Sequence, residues 1–203
     1  MDLEEKINFA REVYEQINKL TAPKTKHCEL DVALLCLRYK AEILFRNVIQ
    51  LIEQNQFQSS AYLVRGIIET RADINYLLSH PDSAIDFNRS IESVRKAQIK
   101  LGQQKPFPPV DVRWCEDSIR ARVKLLGELI LSAYDYLCTF CHSTPMGVEI
   151  ILRKEEKKCL EGQLFISTHN MIGLYGTLGE NEAKSRQMLD DFAKVLQLTE
   201  MRQ

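Results

Sequence analysis

An all-α fold, an antiparallel bundle of about six to seven helices, is what this sequence predicts. Three observations carry that expectation. Apolar residues recur at helical spacing through most of the chain. Only eight Gly and six Pro occur in 203 residues, too few for the frequent turns of a many-stranded protein. No Rossmann, P-loop or hairpin pattern and no internal repeat interrupts the helical periodicity.

The elements follow in order. Asp2 can cap a first helix to about Leu20, with Ile7, Ala10, Val13, Tyr14 and Ile17 on one side. Its acidic start suits the positive end of the helix dipole, and Thr21-Ala22-Pro23 ends it. A second helix over 27–54 is apolar on more than one side, from Leu30 and Leu34 to Phe45 and Ile52, as a central helix should be. After a polar break, Ser59 or Ser60 can cap a third helix to about Leu78. Ser79 to Ser83 punctuates, and a fourth helix covers 82–102. Residues 103–112, with Pro106, Pro108 and Pro109, read as an extended connector. A fifth helix is expected over 114–141 and an irregular segment over 143–162, where Val148–Leu152 reads as a short strand or a helical turn. Two shorter helices near 163–178 and 181–199 complete a single domain spanning 1–203.

Hydrophobic residues make up 45% and charged residues 27%, which excludes a wholly disordered chain. A net charge of -1 argues against nucleic-acid binding through global charge. The opening MDLEEKINFA lacks the basic and apolar pattern of a signal peptide. The apolar-rich stretches at 28–52 and 125–140 are broken by charges, so no membrane span is expected. Six cysteines without an export signal read as reduced, mostly buried thiols, and the cytoplasm is the expected location.

Several constellations bear on chemistry. Cys138-Thr-Phe-Cys141-His142 matches the C-x-x-C-H pattern of covalent haem attachment, with two thiols for the vinyl groups and an imidazole for iron. Attachment normally occurs in an oxidising compartment, and a structural zinc site needs four ligands where no second pair exists, so neither metal nor cofactor is expected. A redox dithiol is disfavoured because these thiols lie near a helix C-terminus, whose dipole raises a thiol pKa. None of the four histidines has Glu three residues before it, as a di-iron bundle would require.

Arg65 and Glu69 stand at i and i+4 on the third helix, and Tyr134, Cys138 and His142 at i, i+4 and i+8 on the fifth. Facing flanks would gather Arg65, Glu69, Tyr134 and His142 into one polar cluster, either a hydrogen-bonded core network or a site with a titrating His. Arg71 and Asn75 fall within the third helix's apolar stripe, where they bridge helix ends or hold an anion. Residues 89–124 carry nine Lys/Arg, among them Arg95, Lys96 and Lys100, against four acids; the excess reads as a solvated face or a surface for RNA. Gly173, Gly176 and Gly179 allow a close helix approach or fray a helix end.

The run Ala61-Tyr-Leu-Val-Arg65-Gly-Ile-Ile-Glu69 and the later Tyr134-Asp-Tyr-Leu137-Cys-Thr-Phe-Cys-His142 resemble a family of bacterial helical proteins of unknown function. That family's pattern is Arg-x3-Glu on one helix and Tyr-x2-Leu-Ser-x3-His closing a later one; Cys138 stands in the place of Ser. The family is in turn similar to the HEPN superfamily of helical bundles, which includes RNA-cleaving toxins and defence proteins. HEPN ribonucleases use Arg-x4–6-His, and residues Asp135–Cys141 contain no Arg, so that motif is not met.

Two functions follow as expectations, with haem or metal binding through Cys138, Cys141 and His142 as a third, minor one. One is a non-enzymatic interaction or regulatory module, with a second copy of the chain or another protein as partner. The other, implied by the resemblance, is a ribonuclease or nucleotide-acting protein of a defence or toxin system. There His142 would be general acid/base, Arg65 would stabilise a phosphate, Tyr134 would assist and Glu69 would orient Arg65.

Overall fold

The structure, a computed structural model, describes residues 3–19, 28–103, 114–141, 155–178 and 182–200. Every regular element among them is helical: α1 (Leu3–Asn18), α2 (Cys28–Glu53), α3 (Phe57–Ser79), α4 (Ala84–Gly102), α5 (Ile119–Lys124), α6 (Glu128–Cys141), α7 (Glu156–Leu178) and α8 (Glu182–Glu200), with one 3-10 turn at Pro81–Ser83. No described helix is long and apolar enough to cross a membrane.

α2 and α3 form an antiparallel hairpin at the centre. Their link is a tight helix stop at Asn55, which adopts φ 56°. Asn55 N–H donates to Ile52 O at 3.0 Å and Gln56 N–H to Leu51 O at 2.8 Å. This doubly bonded stop satisfies two carbonyls that the helix end would otherwise orphan. The apolar sides of the hairpin, including Leu34, Phe45, Ile67 and Ile68, are fully buried in one core to which every other helix contributes, through Ile17, Ala84, Val123, Leu137, Leu160 and Phe192. α6 lies antiparallel on α3, as Phe57 packs on Phe140 and Tyr134 on Glu69. α7 runs along α3 in the same direction, since Ser60 meets Gln163 and Arg71 meets Asn170.

The structure corrects four sequence expectations. The helix expected over 114–141 is two helices, because Gly127 adopts φ 107°, a left-handed conformation that favours glycine. Ser118 caps the first of them, accepting from Ala121 N–H at 3.2 Å. α3 begins at Phe57, ahead of the expected Ser cap; Ser60 instead turns inward between Phe57 O and the Gln163 amide. Residues 156–162 belong to α7, whose buried Gln163, Ser167, Thr168 and Asn170 blur the amphipathic pattern that would have announced a helix. The thiols are not mostly buried: Cys28 and Cys36 are exposed, and Cys115, Cys138 and Cys159 half-buried. The connector at 104–112 and residues 143–154 lie outside the described residues.

Candidate functional site

A polar seam runs down α3. Arg65, Glu69 and Asp73 follow at i, i+4 and i+8, so one helix flank presents all three. Glu69 Oε1 accepts from Arg65 Nε at 2.8 Å and from the Tyr134 hydroxyl at 3.0 Å. The Arg65 guanidinium also sits 5.4 Å from the centroid of the Tyr134 ring, within cation–π range. Tyr134 is 3% exposed. Burial first, and then the Glu69 carboxylate, push its hydroxyl pKa well above the ordinary value of 10, so it keeps its proton. Three of the four residues expected to converge therefore do so. His142 lies outside the described residues.

One turn further, Asp73 meets Arg122 of α5. Nε and Nη2 of Arg122 both lie 3.0 Å from Asp73 Oδ1. The guanidinium stacks 4.9 Å from Trp114 and 5.9 Å from Tyr76, and donates to Cys115 Sγ at 2.8 Å and to the Asp117 carbonyl. Burial raises the Asp73 carboxyl pKa, against the opposing pull of Arg122; burial likewise raises the Cys115 thiol. Sequence reasoning missed this pair because its members are 49 residues apart. The only hint was Asp73 itself, an acid one turn beyond Glu69. Chemically, the seam is a ladder of mutually satisfied charges and hydroxyls that fastens α5 and α6 to α3.

Arg71 faces the other way, toward α7. Its Nη1 donates to Asn170 Oδ1 at 3.1 Å, and its guanidinium lies against Gly173, where a Cβ would stand 2.5 Å from Cζ. Gly176 gives the same close approach to Ser185 of α8, as the glycine spacing suggested; Gly179 lies outside the described residues. Nε of Arg71 is buried without a hydrogen-bond partner, and no carboxylate pairs with this cation among the described residues. Beside it, His169 also has a buried, unpartnered Nδ1; burial, and then Arg71, depress its pKa. Asn75 is half-buried and lends its backbone carbonyl to Ser79.

Among the described residues, five of the nine cations of the basic stretch pair with acids. Arg89 pairs with Asp86, Arg95 and Lys96 with Glu92, Arg120 with Asp135 and Arg122 with Asp73. Arg95 and Lys96 are exposed; the Lys100 side chain lies outside the described residues. Cys138 is half-buried on α6, and the Cys141 side chain and His142 lie outside the described residues. Among the described residues no group of three His, Cys, Asp or Glu is placed to hold a metal ion.

No family model, curated protein or solved structure matches the chain.

Proposed function

We propose that this chain is a non-enzymatic interaction or regulatory module that pairs with a second copy of itself through the outer face of α2. The observation that carries this reading is an exposed apolar stripe on the outer face of a central helix. Val32, Leu35, Cys36 and Tyr39 follow at i, i+3, i+4 and i+7, and Val32, Leu35 and Tyr39 are 46%, 48% and 65% exposed. Single exposed apolar residues are ordinary, whereas a row at heptad spacing is the seam of a helix pair.

Charge supports a second copy as the occupant. The flanks of the stripe are acidic toward the N-terminus (Glu29, Asp31) and basic toward the C-terminus (Arg38, Lys40). Two α2 helices packed antiparallel about Leu35 would set Glu29 of one copy near Lys40 of the other; Arg38 is already paired with Glu42 of its own helix. Parallel packing would set like beside like. A two-fold arrangement uses the same patch twice, as an isologous dimer requires. The non-enzymatic part of the reading is supported by the seam on α3, where Glu69 serves both Arg65 and Tyr134 and the phenol holds its proton.

Sedimentation velocity over a concentration series tests the pairing with the full chain. The expected result is a dimer that Leu35→Glu with Tyr39→Glu converts to a monomer of unchanged helical content. A monomer at every concentration, or a dimer that survives the double substitution, overturns the pairing. Metal-independent RNA cleavage that disappears in His142→Ala overturns the non-enzymatic reading in favour of the ribonuclease that the HEPN resemblance implies.

A further inference from the structure

The groove between α6 and α7 has no part in that pairing. Both helices pack on α3 and leave between them an open cavity of about 340 Å³, at the small end of ligand pockets. Its walls are apolar, formed chiefly by Ile130 and Ala133 of α6 and Phe165 and Ile166 of α7. His169 lines one end. Along α7, Gly162, Ile166, His169 and Gly173 share one face at i, i+4, i+7 and i+11. The line of the groove therefore runs past His169 to Gly173, where the Arg71 guanidinium rests.

His169 Nδ1, at this end of the groove, and Arg71 Nε, on α3 beyond its lining residues, are buried nitrogens without partners. Such orphans are rare in folded proteins. A partly desolvated guanidinium with no acid beside it among the described residues is costly, and an oxyanion is what would compensate it. Arg71 is also fixed for that task, because Asn170 holds one Nη and the flat Gly173 backbone supports the plane. The apolar walls call for a hydrocarbon or aryl body on the same molecule.

From this geometry we propose that the α6–α7 groove binds a small organic carboxylate, its apolar body between Ala133 and Ile166 and its carboxylate against His169 and Arg71. Calorimetric titration of the full chain with octanoate, octanol and inorganic phosphate tests it. Octanoate is expected to bind about tenfold or more tighter than octanol, the worth of one charge-assisted hydrogen bond, and phosphate more weakly than octanoate. Arg71→Gln should erase the preference for octanoate over octanol, and Ala133→Trp, which fills the groove, should abolish binding of both. In wild-type protein the His169 ring resonances should move on adding octanoate, a readout that does not depend on Arg71→Gln folding. Equal affinities for octanoate and octanol, no binding of either, or unmoved His169 resonances would each overturn the assignment.

Discussion

Removing either member of the Arg122–Asp73 pair should destabilise the protein at least as much as removing both. The side chains are 8% and 11% exposed, and the two nitrogen contacts to Oδ1 are 3.0 Å. Breaking a buried pair from one side leaves an uncompensated charge, at roughly 3–5 kcal/mol. That is a large share of the ~5–15 kcal/mol that stabilises a typical domain. Asp73→Leu strands the Arg122 guanidinium between Trp114 and Tyr76; Arg122→Met strands the Asp73 carboxylate. The double variant strands neither, so its loss should not exceed that of either single one, a coupling of about 3 kcal/mol. Urea unfolding followed by the fluorescence of Trp114, the one Trp in the sequence, measures all four corners of the cycle. Arg122→Met adds a pH signature. Burial already raises the Asp73 carboxyl above 3.8, and the substitution removes the guanidinium that opposes it. A raised folded-state pKa means the native state binds the extra proton. The variant should therefore gain stability as pH falls from neutrality toward 3.8 and lose it as pH rises through the folded value. Single-variant losses below about 1 kcal/mol that simply add would refute the buried-pair reasoning.

Two further outcomes test the packing of α3. Tyr134→Phe removes a hydroxyl bond to a carboxylate and should cost about 1–2 kcal/mol in thermal unfolding. Because the folded-state pKa of Tyr134 is raised, its contribution is intact below pH 10 and is lost as pH rises through the folded value; a phenolate absorbance titration that shows this residue ionising at 10 contradicts its burial beside Glu69. Gly173→Ala should cost about 1–3 kcal/mol, since its Cβ would stand 2.5 Å from Arg71 Cζ. Gly66→Ala meets only the Leu44 side chain at 3.1 Å and gains helix propensity, so it should lie within about 1 kcal/mol of wild type; equal losses at the two glycines would contradict the close approach at Gly173.

What the sequence disclosed followed from range. Local patterns were readable: the apolar repeat of α1 buries Ile7, Ala10, Val13 and Ile17 as expected, and the i, i+4 spacing of Arg65 and Glu69 foretold their ion pair. Their meeting with Tyr134 was a conditional inference, because nothing in one sequence states which helix flanks face one another. Arg122–Asp73 and Arg71–Asn170 are long-range pairs with no local signature. Gly127 was hidden inside an apolar run that otherwise keeps helical period, and only its left-handed φ divides α5 from α6. The buried amides and hydroxyls of α7 misled in the opposite sense, since a helix enclosed on most sides has no single apolar stripe to read. The outer stripe of α2 was hidden for a related reason. Val32, Leu35 and Tyr39 merge with the core positions Ala33, Leu34 and Leu37, and only their exposure tells the two faces apart.

That stripe also gives the most direct test of how the protein works. Leu35 would lie on the two-fold axis of the proposed pair, so a cysteine there meets its own counterpart. In a Cys28→Ser, Cys36→Ser background, Leu35→Cys should be joined into a covalent dimer by a short thiol-to-thiol cross-linker at low protein concentration. Gln98→Cys, exposed on α4, should not be. Cross-linking at Leu35→Cys no faster than at Gln98→Cys would contradict self-association through α2.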